Sequence, residues 1–251
     1  MARSSARPPL FSSRRPVRSV RLDGEAPGPG AGWPWDLPVV GQLRTAPLEL
    51  GPLTVLVGAN GSGKSTLLEG IALAYGLSPE GGSTHARHST RPSESPLSRE
   101  LRITREAGAS RWGFFLRAET MHGFFSYLEE HPGGNPREPV FHEMSHGESF
   151  VSLVEHRFDG PGLYLLDEPE SALSFENCLA LGAVLHALAG RNDAQVLLAT
   201  HSPVLAAIPG ARLLELGPGG WTESDWEDLR LVWHWRAFLA DPQRYWRHAL
   251  D

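Results

Sequence analysis

The sequence has few lysines, few cysteines and no long apolar runs. Lys64 is the only lysine among 23 basic residues, and all the others are arginines. A single lysine kept in an arginine-rich chain indicates a position that needs a compact ammonium group rather than a planar guanidinium. Cys178 is the only cysteine, which excludes a disulfide framework and favours a reducing compartment. No run is long enough to span a membrane, so we expect a cytoplasmic protein that reaches a membrane only through another subunit.

Acidic residues are missing from the first 22 positions, although the whole chain has a formal net charge of −6. Six arginines lie in that stretch: Arg3, Arg7, Arg14, Arg15, Arg18 and Arg21. The remaining body is therefore acidic, which argues against a broad nucleic-acid-binding surface on it. Residues 1–16 are predicted to be a disordered basic arm. A transit peptide, or an arm that contacts DNA or anionic lipid, is the alternative.

A glycine-rich motif surrounds the single lysine. It fits the phosphate-binding pattern G-x-x-x-x-G-K-[ST], and its residues are Gly58, Ala59, Asn60, Gly61, Ser62, Gly63, Lys64, Ser65 and Thr66. Residues 53–57 predict a buried strand before it, and residues 65–75 predict a helix that ends at Gly76. In such a loop successive backbone N–H groups can face an anion, and the helix adds its positive end. The motif predicts a nucleoside triphosphate site, in which Lys64 contacts the β- and γ-phosphates and the Ser65 hydroxyl binds Mg²⁺.

Two carboxylates follow a second apolar run, residues 162–166. A continuous apolar run is typical of a parallel strand covered on both faces, and such sheets bind ligands at the C-terminal ends of their strands. Asp167 is predicted to hold the Mg²⁺ shell, mostly through water. Glu168 is predicted to lie beside the γ-phosphate, where it can orient and deprotonate the attacking water. Alone, this pair would be interpreted as a solvated acidic turn, but it lies downstream of a P-loop.

His201 comes directly after a third apolar run, residues 195–200. Most histidines are satisfied surface or core residues. His201 differs, because a strand at 195–200 would bring it to the same sheet edge as Asp167 and Glu168. From that edge its imidazole could contact the γ-phosphate and the attacking water, which makes it a second catalytic candidate.

Residues 144–148 read Met-Ser-His-Gly-Glu and complete an ordered set of motifs. With the P-loop before them and the carboxylate pair, residues 171–174 and His201 after them, they make the sequence resemble the ABC-type ATPase superfamily over residues 39–216. Residues 144–148 resemble the LSGGQ signature of that family, and residues 171–174 are similar to its D-loop. In the signature Ser145 and Gly147 are kept, while His146 replaces the first glycine and Glu148 replaces glutamine.

Within the superfamily the sequence is most similar to a group of small stand-alone bacterial ATPases that are loosely called AAA. The segments that carry this closer resemblance are residues 33–38, 115–119 and 145–149. The resemblance implies a P-loop α/β fold of ABC type, with a mostly parallel sheet flanked by helices. The expected division is an ATPase domain over 17–216, with a small signature-bearing helical lobe at about 100–157. A helical tail over 217–251 would pack on that domain.

The same resemblance implies the activity and the partners. The chain is expected to bind Mg-ATP, to hydrolyse it slowly, and to form an ATP-dependent head-to-tail homodimer. Ser145, Gly147 and Glu148 would face the nucleotide held by the other subunit. A soluble ATP-driven switch acting on an unknown client is the first interpretation, and a nucleotide-binding subunit of a membrane transporter is the alternative. A weakly hydrolysing ATP sensor is a third.

Two further positions are suggested by the resemblance. Trp33 and Trp35 precede the P-loop where ABC-type proteins often place an aromatic residue that stacks on adenine, and Trp35 is our candidate. Packing of an N-terminal hairpin is the alternative for both rings. Glu119 lies near the usual position of the Q-loop glutamine and is a candidate contact for Mg²⁺ or its waters. The short lobe has no heptad run, so ATPases with a long inserted coiled coil are excluded.

The C-terminal residues 221–251 are predicted to form two helices. They contain five tryptophans: Trp221, Trp226, Trp233, Trp235 and Trp246. Such residues most often cover a core, and an exposed cluster would instead mark a surface for a partner. Residues 78–99, rich in serine, glycine, proline and histidine, predict a long loop that is either functional or disordered.

Overall fold

The computed structural model describes residues 14–79, 82–83, 95–118, 154 and 158–250. The strands in this part of the chain are β1 (Ser19–Leu22), β2 (Leu48–Glu49), β3 (Leu53–Gly58), β4 (Gly82–Ser83), β5 (Leu101–Thr104), β6 (Gly113–Arg117), β7 (Gly162–Asp167), β8 (Ala194–Thr200), β9 (Arg212–Gly217) and β10 (Gly220–Glu223). The helices are α1 (Pro38–Leu43), α2 (Lys64–Tyr75), α3 (Leu97–Glu100), α4 (Phe175–Ala189), α5 (Pro203–Ala206), α6 (Arg230–Ala240) and α7 (Pro242–Leu250). Short 3-10 helices lie at Pro169–Ala172 and Trp226–Asp228.

The larger sheet has seven strands in the order β10-β9-β3-β8-β7-β6-β4. Strands β9, β3, β8, β7 and β6 run parallel to one another, whereas β10 and β4 pair antiparallel at the two edges. Leu56 of β3 lies opposite Ala199 of β8 and Leu214 of β9. The predicted α/β class with a mostly parallel sheet is confirmed.

The three apolar runs form the central strands because both faces of the sheet are covered. Alternate residues point to opposite faces. Leu56 therefore joins the core that contains Leu67 of α2, and Val55 joins the core that contains Leu181 of α4. Every residue of β7 and of β8 is buried, which agrees with strands that have no solvent-facing side.

Helix α2 is flanked by a glycine at each end. Gly63 comes before it with φ 95°, and Gly76 follows it with φ 102° and donates its N–H to the carbonyls of Ala72 and Leu73. Both glycines are in the left-handed region that other residues rarely adopt. The predicted strand–loop–helix at the P-loop is confirmed, with the helix starting one residue earlier, at Lys64.

A second, antiparallel sheet has the order β2-β1-β5. Val20 of β1 lies opposite Leu48 on one side and Ile103 on the other. The prediction of a helical lobe over about 100–157 is therefore wrong for its first part, because β5 pairs with β1 and β6 pairs with β7. Residues 119–153 lie outside the described part of the chain.

The end of the predicted basic arm packs against the domain. Arg14 donates its N–H to the carbonyl of Asn192 at 2.9 Å, and Pro16 is buried. Disorder over 1–16 is therefore wrong for residues 14–16, whose backbone and apolar groups find partners. Residues 1–13 lie outside the described part of the chain.

The tail begins with a strand rather than with a helix. Gly217 and Gly220 face each other in a tight hairpin, and β10 adds to the edge of the sheet beside β9. The prediction of an all-helical tail over 217–251 is corrected accordingly, although α6 and α7 follow. Leu229 and Val232 are buried, so the start of α6 packs on the sheet.

No helix in the described segments is both long and apolar enough to cross a membrane.

Candidate functional site

The P-loop connects the end of β3 to the start of α2. Gly61 and Gly63 both have positive φ, at 77° and 95°. A Cβ at Gly58 would lie 2.7 Å from the carbonyl oxygen of Leu216, so only glycine fits beside β9. The hydroxyl oxygen of Ser62 is buried without a hydrogen-bond partner among the described residues. These features fit a loop whose polar groups bind a phosphate chain.

Lys64 lies at the centre of the site and is 3 % exposed. Its ammonium donates to the carbonyl of Gly58 at 3.0 Å and to that of Ala59 at 3.3 Å. Its Nζ lies 2.7 Å from Nε2 of His201 and 3.7 Å from Oε1 of Glu168. Burial lowers the pKa of Lys64 from its usual value, and the nearby carboxylates oppose that shift, Glu168 most strongly.

The two catalytic candidates lie side by side. Nε2 of His201 is 3.0 Å from Oε1 of Glu168, so the ends of β7 and β8 bring these side chains together. Glu168 also donates its backbone N–H to the carbonyl of Ala199 at 2.9 Å. The backbone N–H of His201 donates to the carboxylate of Glu170. Lys64, Glu168 and His201, which were inferred from three separate motifs, thus form one cluster.

The two metal candidates in the described part of the chain also meet. The hydroxyl of Ser65 donates to Oδ1 of Asp167 at 2.9 Å. Among the described residues there is no cluster of three or more histidine, cysteine, aspartate or glutamate side chains that could hold a metal ion. Mg²⁺, however, usually takes one or two protein oxygens and completes its shell with phosphate oxygens and water. A hydroxyl beside a carboxylate at the P-loop therefore fits Mg²⁺.

Arg117 is a site residue that the sequence analysis missed. Its Nε lies 3.5 Å from Oδ2 of Asp167, and its Nη1 donates to Oε2 of Glu69 at 2.8 Å. Arg117 ends β6, which is the parallel neighbour of β7, so the two residues share one sheet edge. The position of Arg117 at the end of an apolar run was a usable signal. No signal in the sequence pointed to its partner Glu69, which lies in the middle of α2.

Trp35 is not placed as predicted. Its side chain is 7 % exposed and packs in the core with Val39 and Leu43, so its ring cannot stack on a base. The prediction of an adenine contact by Trp35 is wrong, and the packing alternative holds for it. Trp33, two residues earlier, is 60 % exposed.

Four predicted site residues lie outside the described part of the chain. They are Glu119, Ser145, Gly147 and Glu148. Their roles at the metal and at the nucleotide of a second subunit stay predictions. Thr66 is described and lies in the first turn of α2.

A cavity of about 940 Å³ opens beside the P-loop. One wall is Gly58–Ser62, a second is the β9–β10 turn at Glu215–Gly220, and a third comes from α6 and α7. The tail residues that line it are Arg230, Leu231, His234, Trp235, Phe238 and Tyr245. The prediction that the tail aromatics cover a core or mark a partner surface does not include this place beside the P-loop.

The sequence of this chain is similar to sequences of known proteins. Residues 53–132 match the family described as "AAA domain, putative AbiEii toxin, Type IV TA system". The zinc import ATP-binding protein ZnuC of Vibrio vulnificus, from strains YJ016 and CMCP6, is 27 % identical over 159 residues. That alignment covers 61 % of this chain and 59 % of ZnuC. The chain thus spans less than two thirds of these relatives.

Solved structures also align with the chain. The SMC head domain from Thermotoga maritima is 15 % identical with a TM-score of 0.42, and the alignment covers 83 % of this chain and 98 % of that one. An inward-facing "putative metal-chelate type ABC transporter" is 18 % identical with a TM-score of 0.43, and covers 75 % of this chain and 81 % of that one.

The family match covers the P-loop strand and helix, and the ATP-binding relatives extend the similarity over most of the chain. Together with the P-loop geometry and the parallel sheet, they confirm the resemblance to the ABC-type P-loop ATPase superfamily that the motifs predicted.

Proposed function

We propose that the chain binds Mg-ATP and hydrolyses it to ADP and phosphate. The observation that carries this proposal is the cluster of Lys64, Glu168 and His201 beside the P-loop, with interatomic distances of 2.7, 3.0 and 3.7 Å. A buried lysine between a carboxylate and an imidazole, at the end of a phosphate-binding loop, is arranged for phosphoryl transfer to water.

Binding rests on the loop and on Lys64. The N–H groups of the loop surround the phosphate chain, and the ammonium of Lys64 is a point charge for the β- and γ-phosphates. Ser65 and Asp167 would hold Mg²⁺, which when bound neutralises charge on the phosphate oxygens. Arg117 holds the Asp167 carboxylate from the other side, because its guanidinium lies 3.5 Å from Oδ2.

Hydrolysis rests on Glu168. Its carboxylate is the described group best placed to accept a proton from a water that attacks the γ-phosphate. His201, 3.0 Å from Oε1, orients that carboxylate and can contact the same water. Glu170 in turn holds the backbone of His201 in place. Each of these three residues directly follows a strand end or lies in the turn beyond it, so the sheet sets their positions.

The biological form we propose is a cytoplasmic, ATP-driven dimerisation switch. Each subunit would contribute its P-loop to one nucleotide and Ser145, Gly147 and Glu148 to the other, which gives a two-fold interface with two shared sites. Loss of the γ-phosphate would then release the dimer and its client. This part of the proposal is supported by the resemblance to the superfamily.

A transporter subunit is the second candidate. The observation that favours it is the 27 % identity to proteins named as zinc import ATP-binding proteins. Affinity purification of the Glu168→Gln protein in Mg-ATP separates the two candidates. A co-purifying protein with several membrane-spanning segments would support the transporter, and a soluble client would support the switch.

The activity is tested by phosphate release from Mg-ATP. The wild-type protein should release phosphate, while Lys64→Ala should neither bind nor hydrolyse ATP. Glu168→Gln should bind ATP with little change and lose hydrolysis, because the proton acceptor is removed while the phosphate contacts remain. A Lys64→Ala protein that binds Mg-ATP as tightly as wild type in a calorimetric titration would refute the assigned site.

A further inference from the structure

The cavity beside the P-loop joins two elements that are far apart in sequence. Its volume of about 940 Å³ falls within the range of sites that bind small molecules. Its lining includes both the first half of the P-loop and the aromatic residues of α6 and α7. A molecule whose phosphates lie on the P-loop would therefore extend into an aromatic compartment.

Three rings line that compartment in fixed orientations. The ring centroids of Trp235 and Phe238 are 6.3 Å apart at 88°, and those of Phe238 and Tyr245 are 5.8 Å apart at 82°. Both geometries are edge-to-face, which aromatic pairs prefer. Nδ1 of His234 lies 3.3 Å from the hydroxyl oxygen of Tyr245, which further holds the α7 ring. Trp235 is 46 % exposed, so much of its ring surface remains accessible to a ligand.

Polar residues also line the cavity. Arg230 begins α6, and its backbone N–H donates to Oε1 of Glu215 at 3.0 Å, which ties the helix to the β9–β10 turn. Thr222 of β10 also lines the cavity. The cavity thus combines aromatic rings with a few polar groups, which is the usual lining of a small-molecule site.

We propose that the nucleobase of the bound nucleotide stacks in this compartment, against Trp235, Phe238 and Tyr245, with Arg230 and Thr222 facing its ribose. The inference rests on the proposed function, because the phosphates must occupy the P-loop. It also assigns the base to the C-terminal tail, whereas Trp35, the residue that precedes the P-loop, is buried in the core. Every base offers an aromatic face, so stacking here would hold the base without strict choice among bases.

The test compares ATP with inorganic tripolyphosphate, which has the phosphates but no base. We expect Trp235→Ala and Tyr245→Ala to weaken ATP binding on the order of 5- to 150-fold, the effect of losing one stacked ring. Tripolyphosphate affinity should stay unchanged in both variants. Trp246→Ala is the matched control, because Trp246 follows Tyr245 on α7, is 55 % exposed and does not line the cavity. It should leave both affinities unchanged.

The outcomes separate this inference from the function on which it rests. Wild-type protein that binds neither ligand refutes the proposed function. Wild-type protein that binds both, with variants that bind ATP normally or lose both ligands equally, overturns the base site alone. Trp235→Phe guards against misfolding, since it keeps a ring and should keep most of the ATP affinity. ATP, but not tripolyphosphate, should quench tryptophan fluorescence in the wild type, and Trp235→Phe should lose that quenching; equal quenching in both proteins also overturns the site.

Discussion

Ser65 and Asp167 share a hydrogen bond of 2.9 Å although 102 positions separate them in the sequence. The bond joins the first turn of α2 to the C-terminal end of β7, so a hydroxyl oxygen and a carboxylate oxygen meet at one point beside the P-loop. Arg117 approaches the same carboxylate from the end of β6. Three neighbouring elements therefore assemble the proposed Mg²⁺ site.

Replacing Ser65 by alanine should remove the effect of Mg²⁺ on ATP binding. The variant keeps Lys64 and the loop N–H groups, so it should bind ATP with about the affinity that the wild type shows in EDTA. Ser65→Thr is the control and should behave as the wild type, because the motif accepts either hydroxyl. Calorimetric titrations with and without Mg²⁺ measure the difference. An equal Mg²⁺ enhancement in the wild type and Ser65→Ala would contradict the assignment.

Glu168→Gln should accumulate as an ATP-bound dimer. The substitution keeps the phosphate contacts and removes the proposed proton acceptor, so the γ-phosphate that joins the subunits is retained. Ser145→Arg should bind ATP and stay monomeric, because a bulky charge would enter the predicted interface. Size-exclusion chromatography with light scattering measures both masses. A Glu168→Gln protein that stays monomeric in saturating Mg-ATP would refute the mechanism in which two subunits share each nucleotide.

The two tryptophans before the P-loop should differ in their effect on stability. Trp35→Ala leaves a cavity in the core and should lower the free energy of unfolding by about 3–5 kcal/mol. Trp33→Ala removes a ring that is 60 % exposed and should change it by less than about 0.5 kcal/mol. Urea denaturation of both variants gives the comparison. Equal, small effects would show that the Trp35 ring does not contribute to the core.

The lowered pKa of Lys64 should appear as a pH dependence of stability. Since burial lowers the folded-state pKa, the unfolded chain binds more protons in the window between that pKa and the usual value of 10.5. The unfolding free energy of the wild type should therefore rise with pH in that window, relative to Lys64→Met, which has no proton to lose. Below the window the difference between the two proteins should be constant. A relative loss of stability on the alkaline side would contradict the sign of the shift.

The parts of the fold that could be predicted are those set by local pattern. The runs at 53–57, 162–166 and 195–200 are continuous and apolar, and each became a buried central strand. Parallel strands end at one edge, so the contact between Glu168 and His201 was predictable from the same pattern.

Long-range pairing could not be predicted in the same way. Strand β2 has only two residues, and β1 pairs with β5 across about 80 positions, so neither leaves a periodic signal. The buried side chain of Gln195 accepts from the N–H of Val17 at 2.9 Å and donates to the carbonyl of Gly51 at 2.9 Å. A polar residue within an apolar strand gave no indication of those two partners.

The predictions for residues 217–220 and for the ring of Trp35 were wrong for a similar reason. In both places one residue type can serve two structural purposes. The tail was predicted to start at residue 217 and to be helical, but glycine also forms tight hairpins, and Gly220 has φ 104°. Trp35, an aromatic residue before the P-loop, was predicted to stack on adenine, but a large apolar ring is equally able to fill a core. Only the tertiary structure distinguishes these alternatives.

Glu168 has φ 49°, and it is the only non-glycine with a positive φ in the described part of the chain. Glycine adopts this conformation without the steric penalty of a Cβ, which is on the order of 1 kcal/mol. Directed evolution of this protein toward higher melting temperature would therefore favour glycine at position 168. Such a selection would discard the proposed proton acceptor first, so thermostable libraries should exclude this codon from randomisation.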